Sequence, residues 1–273
     1  MAVLANSMPP IAISQEELSA WGRLWLAEDY QELIKPKTRR QAELGPQLAD
    51  KHKKPNRFTK KQSVNFPMVI DRAYGTALAR MLGGIPVLPP IHRTPLLPAG
   101  PDCVEVGAVR IIGGVRPQNF DAAYRPDGPR IVFDSKTLND TDSIRKNWQN
   151  MINDIATEAT TVHTRFPYAL VTFIVVLPRP ALLFQQEVDI IRTLERLGTR
   201  KDPMDQVQLA EAISMIVWDP ATATIDTNTP PRTSNLRLEL MPETIYTHYL
   251  ARYKGLPPHN LAEIPEEQEN GEE

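Results

Sequence analysis

The chain has one cysteine, Cys103, in 273 residues. That excludes an internal disulfide framework and any cysteine-rich zinc site. No apolar run approaches the roughly 18 to 20 residues needed to cross a bilayer, so no membrane partner is expected. The histidines His52, His92, His163, His248 and His259 show no metal-ligand spacing, and His163, at a helix end, reads as a terminus interaction rather than a base. Neither a GxGxxG nor a Walker phosphate loop occurs. The first residues, MAVLANSMPPIAIS, lack a basic n-region and a sustained apolar core, so no secretory signal is read there. These absences point to an intracellular, cytoplasmic protein. Apolar content of 41% and charged content of 23% are those of a globular chain.

There is also no large excess of either charge, the net being -2, but the distribution is uneven. Between Lys35 and Lys61 ten Lys/Arg stand against Glu43 and Asp50. Such a segment suits phosphate contact and reads equally as a solvated linker. The closing stretch AEIPEEQENGEE carries six glutamates and reads as a disordered acidic tail.

Periodicity supplies the elements. Ser14 and Glu17 form an S-x-x-E capping box, and Leu18, Trp21, Trp25 and Leu33 continue an apolar stripe to Pro36. A second helix is predicted over 66–82, stopped by Gly83-Gly84. Residues 85–101, with six prolines, are expected to be extended and irregular. Strands follow at 103–112, 119–125 and 130–136. A long helix then spans 142–164, on the stripe Ile144, Trp148, Met151, Ile152, Ile155 and Ala159. A buried strand 168–177, a helix 181–198 and a strand 212–218 complete the regular part, and a short helix over 243–253 reads as peripheral. The expected class is α/β, a mixed sheet flanked by helices. Its parts are an N-terminal helix with the basic segment (1–62), a core (63–225) with the Pro-rich insertion, and a C-terminal region (226–273).

The stretch FDAAYRPDGPRIVFDSKTL holds the chemistry. Pro126-Asp127-Gly128-Pro129 is a strong turn signal, and Asp-Gly suits the centre of a two-residue hairpin loop. With 127 and 128 at the tip, residues whose numbers sum to 255 face each other. Asp121 then opposes Asp134, and Lys136 lies on the same face. Asp127 is left in the turn, away from the other acids. Two adjacent carboxylates repel unless a cation bridges them. Oxygen-only ligation suits Mg2+ or Mn2+, and a lysine beside the metal can orient a water and offset charge at phosphorus. The same residues also read as an amphipathic hairpin with a diagonal Asp121–Lys136 salt bridge.

The order helix, three strands, helix, strand, with Asp121 in the second strand and Asp134-Ser135-Lys136 in the third, resembles the PD-(D/E)xK nucleases over roughly residues 66 to 178. Phe120 stands where the family motif has proline. The resemblance implies a restriction-endonuclease-like core (α-β-β-β-α-β) with N-terminal helical and C-terminal additions. It further implies Asp121 and Asp134 as ligands of Mg2+ (or Mn2+), the Ser135 carbonyl as a further ligand, and Lys136 as the catalytic lysine. Asp71 and Gln149 are auxiliary candidates, though Asp71 reads equally as a surface residue. Lys53, Lys54, Arg57, Lys60, Lys61, Thr137, Asn139, Arg145 and Lys146 are candidates for DNA contact. The expected activity is cleavage of double-stranded DNA, most like a type II restriction enzyme working as a homodimer. A structure-specific repair, recombination or phage-defence nuclease is the alternative within the fold, and a non-catalytic DNA-binding or interaction protein the alternative outside it.

Overall fold

The structure, a computed structural model, describes residues 3–34, 47–91 and 96–258. Lys35, Lys37, Arg39 and Arg40 of the basic segment and the acidic tail lie outside the described residues.

Ser14 caps α1 (Gln15–Leu26), its hydroxyl accepting from the Glu17 N–H at 3.2 Å. Glu17 pairs with Arg72. The helix stops well before Pro36, because one turn beyond Trp25 the stripe positions are Glu28 and Asp29. The chain is extended at Ala27, and β1 (Asp29–Ile34), which takes Leu33 out of the predicted helix, pairs antiparallel with β2 (Gln47–His52). A complete Thr59/Gln62 capping box opens α2 (Lys60–Asn65). It leads into α3 (Met68–Met81), ended by Gly83 and Gly84 at φ 91° and 77°. Only β3 (Val87–Leu88) is regular in the described part of the Pro-rich stretch.

The main sheet then forms from β4 (Val104–Ile112), β5 (Pro117–Tyr124), β6 (Ile131–Thr137), β7 (Leu170–Pro178), β8 (Ala212–Asp219) and β9 (Thr224–Ile225). Its seven strands lie side by side in chain order from β3 to β9. Strands β6, β7 and β8 run parallel, as do β3 and β4, and the other pairs are antiparallel. The crossovers are α4 (Thr141–His163) and α5 (Phe184–Leu197). A mixed α/β architecture is therefore present.

Period-two alternation divides the core. Val132, Phe173, Val175 and Met215 face Ile144 and Ile155 of α4 and Ile190 and Leu194 of α5. Ile131, Phe133, Ile174 and Trp218 face the opposite layer, with Trp25 of α1 and Tyr74 and Leu78 of α3. Tyr74 stacks on Phe133 at 3.8 Å between ring centroids. Helix α6 (Met241–Tyr253) is no appendage, since it buries Met241, Ile245 and Tyr249 in that second layer. Helix α1 is as tightly joined: a β-carbon on Gly22 would stand 2.1 Å from the Pro220 carbonyl oxygen.

A buried ionic knot ties the far end of the sheet together. Glu211 Oε1 accepts from Arg200 at 2.6 Å and Arg252 at 2.8 Å, and Oε2 accepts from the Val171 N–H at 2.7 Å. His163 Nε2 lies 3.2 Å from Oε2, so this histidine is an internal tie and not a free helix terminus. Burial alone would raise the Glu211 pKa. His163, Arg252 and the Val171 N–H outweigh it and hold the group at about 2. The depressed pKa makes its contribution complete above the ordinary value of 4.5, and lost as pH falls toward 2. Glu211→Gln is expected to cost about 3 kcal/mol at pH 7, since it strands buried cations. It should also flatten the acid loss of stability over that window, both read from urea unfolding. An unchanged acid slope would contradict this role.

Candidate active site

The register read from the turn is present. Ala122, Ala123 and Tyr124 pair with Phe133, Val132 and Ile131, all summing to 255. The turn itself differs: strand structure stops at Tyr124 and resumes at Ile131, leaving a six-residue connection in place of a two-residue one. Arg130 explains this. It is 2% exposed, grips Asp127 Oδ1 and Oδ2 at 2.9 and 2.6 Å, and lies over the Tyr253 ring at 4.9 Å. Asp127 is thus an anchor of the connection, apart from the other acids.

Pairing between β5 and β6 ends at Ala122–Phe133, and the strands part at Asp121 and Asp134. Into the gap Asp121 sends its carboxylate, whose Oδ2 accepts the Ser135 backbone N–H at 2.9 Å. A side chain here replaces a ladder acceptor. The N–H and C=O of a strand residue point to the same side, so the Ser135 carbonyl faces this gap as well.

Alternation along β6 then distributes the groups. Asp134 and Lys136 project with Val132 toward α4, while Ser135 projects with Phe133 toward α3. On the α3 side, the Ser135 hydroxyl lies 2.7 Å from Asp71 Oδ1 and 2.9 Å from Asp121 Oδ2. One hydroxyl proton cannot serve both acceptors, so one carboxyl carries a proton when both contacts are made. Asp71 is that group. It is 5% exposed, and burial, reinforced by the charge of Asp121, pushes its pKa up to about 8. A surface position for Asp71 is excluded.

On the α4 side, Lys136 Nζ donates to Asp134 Oδ2 and, at 2.8 Å, to Glu158 Oε1. Glu158 Oε1 also accepts from Gln118 Nε2 at 2.9 Å. Burial would lower the Lys136 pKa, but the charges of Asp134 and Glu158 outweigh it and keep the ammonium. Asp134 is driven well above the carboxylate range by burial and by Asp121, against the pull of Lys136. Among the described residues no diagonal Asp121–Lys136 ion pair forms; the lysine is held by Asp134 and Glu158.

Beside Lys136 a groove of about 310 Å³ is lined by Thr137, Leu138, Asn147, Asn150, Met151 and Asp154. Gln149 is exposed and does not line it, as Arg145 and Lys146 also are exposed on α4. The start of α4 meets the N-terminal region: the Trp25 indole N–H donates to the Asn139 carbonyl at 2.7 Å, and Lys53 Nζ donates to the Trp25 carbonyl at 3.1 Å. Arg57 lies 3.9 Å from Asp142. Lys53 and Arg57 are therefore close to the loop after β6. Lys54, Lys60 and Lys61 are exposed, Lys61 facing Glu32 at 3.5 Å.

Glu158 is the site residue that the sequence reading passes over. Its signal is its phase: position 158 falls seven residues after Met151 and four before Val162, on the buried stripe of α4. A carboxylate in that phase has to meet a partner inside the protein.

The chain matches no protein-family model, no curated protein and no solved structure in comparisons with each. Among the described residues no three His, Cys, Asp or Glu side chains form a ready-made metal cluster.

Asp71 and Asp134 both have raised pKa values, so the folded protein binds more protons than the unfolded chain above the ordinary carboxylate value of 3.8. Stability must then fall as pH rises toward about 8, the value for Asp71. In chelator, the unfolding midpoint of the wild type is expected to decline between pH 5 and 8. Asp71→Asn should flatten that decline and raise the midpoint at pH 8. Equal slopes in the two proteins would refute a protonated Asp71.

Proposed function

We propose that the chain is a metal-dependent nuclease of the PD-(D/E)xK type that hydrolyses phosphodiester bonds of double-stranded DNA. The observation that carries the reading is the charge balance where β5 and β6 part. Asp134 and Glu158 share a single ammonium, Lys136, on the α4 side, while Asp71 and Asp121 crowd the Ser135 hydroxyl on the α3 side; Asp71, Asp134 and Glu158 are buried and Asp121 is half-buried. Carboxyls so placed either take up protons or take up a cation. Asp121, Asp134 and the Ser135 carbonyl offer a hard oxygen set. Two protein carboxylates suffice for Mg2+, which completes its shell with waters and substrate phosphate instead of a full protein cage.

A divalent cation there would polarise the scissile phosphate and acidify a water. The chain's own groups have separate tasks. Asp121 and Asp134 hold the cation, and the Ser135 hydroxyl keeps Asp121 oriented through its contact with Asp71. Lys136 presents a fixed positive charge at the groove, where a phosphate gaining negative charge would be stabilised. Lys53 and Arg57, beside the Asn139 loop, fit contacts to flanking phosphates. Thr137, which lines the groove, is placed for the same purpose.

The reading extends to a sequence-specific enzyme of the type II restriction class acting as a homodimer, since one site serves one strand and two-fold symmetry supplies the second. Purified protein with plasmid DNA and Mg2+ is expected to give discrete linear fragments, and none in chelator. Asp134→Ala and Asp121→Asn should abolish cutting, and Lys136→Ala should slow it by roughly a hundredfold or more. Nicking confined to branched or damaged DNA would replace sequence specificity by structure specificity. Equal, metal-independent behaviour of wild type and Asp134→Ala would remove the nuclease reading.

A further inference from the structure

Lys136 occupies an awkward place for a residue beside a cation site. Its ammonium rests on Asp134, the carboxylate that a divalent cation would claim. Once the cation binds, Lys136 loses that partner and is repelled by the new charge. A lysine on a flexible four-carbon stem would then swing out to water unless something else holds it.

Glu158 is built to do so. It is 4% exposed, stands on the rigid α4 rather than on the strand, and puts both carboxylate oxygens 2.8 Å from Nζ. Gln118, one strand away on β5, donates to Oε1 at 2.9 Å and holds the carboxylate in that orientation. Glu158 approaches the ammonium from a different element than Asp134 does, so it remains as a partner when Asp134 is taken.

We propose that Glu158, supported by Gln118, is the positioning residue of Lys136: it retains the ammonium in the site when a divalent cation occupies Asp134. The proposal rests on the metal-dependent nuclease reading above. Without Glu158 the ammonium has Asp134 as its acidic partner before the cation arrives, and the cation must displace it to water in order to bind.

The test is Mn2+ binding to the full chain without nucleic acid, followed by calorimetry, for the wild type, Glu158→Gln, Lys136→Met and the double variant. Glu158→Gln is expected to weaken Mn2+ about tenfold, the scale of lost support around a metal ligand. In the Lys136→Met background the same substitution should change affinity by no more than about twofold, because the competitor is gone. An equal weakening in both backgrounds would mean that Glu158 acts only as a distant negative charge, and would overturn the proposal. So would an unchanged affinity in the single variant. On plasmid DNA, Glu158→Gln should lower kcat with KM unchanged, and Glu158→Asp should recover part of it. Should Glu158→Gln fail to fold, Gln118→Ala carries the test with the same direction and a smaller size; no effect on either Mn2+ binding or kcat would count against the role. A wild type that binds no Mn2+ and cuts nothing would overturn the nuclease reading and this proposal with it. A wild type that binds and cuts, beside an indifferent Glu158→Gln, would overturn this proposal alone.

Discussion

The crowding of four carboxyls where β5 and β6 part, Asp71 and Asp121 on Ser135 and Asp134 and Glu158 on the one ammonium of Lys136, is the constraint on which the site depends. Asp121 and Asp134 face each other because β5 and β6 keep the register set by their connection, and both are pressed together where the ladder stops. Burial and the charge of Asp121 make Asp134 costly to ionise there. The protein meets this in two ways, one on each side of the sheet. Toward α3, a proton on Asp71 and the Ser135 hydroxyl form a relay to Asp121. Toward α4, Lys136 is shared between Asp134 and Glu158. A cation entering the gap would relieve what these arrangements only partly offset.

The rest of the fold places these groups. Parallel pairing of β6 with β7 runs the length of Ile131–Thr137, so the strand stays rigid after β5 has left it, and Asp134, Ser135 and Lys136 cannot drift. Helix α4, fixed by the Asp140/Ser143 capping box at its start and the Glu211 knot near its end, carries Glu158 to the lysine. Helix α3, stacked through Tyr74 on Phe133, carries Asp71 to Ser135. The contact of Trp25 with the Asn139 carbonyl joins the N-terminal region to the loop that follows the site. A phosphate backbone lying on Lys53 and Arg57 would therefore press on the same loop.

Much of this was legible in the sequence because local signals there agree. Alternation gives the strands, the Asp-Gly turn gives their register, and the register alone brings Asp121 to Asp134. The connection turned out longer than two residues because Arg130 draws Asp127 and the end of α6 together, a long-range contact that no turn signal encodes. Leu33 misled because the apolar spacing survives past Trp25, whereas the acids at Glu28 and Asp29 end the helix. The burial of Asp71, an auxiliary candidate that read equally as surface, and the role of Glu158 escaped for one reason: each is an acid at a core phase of an amphipathic helix. An apolar stripe marks the core face by its hydrophobic residues, and an acid between them looks like surface. An acid in core phase is better read as a buried group that requires a partner, and here both find theirs on β6.

The measurement that bears most directly on the account is thermal unfolding with and without millimolar Mg2+ or Mn2+, at pH 8, for the wild type and Asp121→Ala. If buried carboxyl repulsion at the parting of β5 and β6 creates a cation site, the metal should raise the wild-type midpoint by several degrees. The variant, freed of the repulsion, should start higher and respond little. A wild-type midpoint indifferent to both metals, or an equal response in the two proteins, would contradict it.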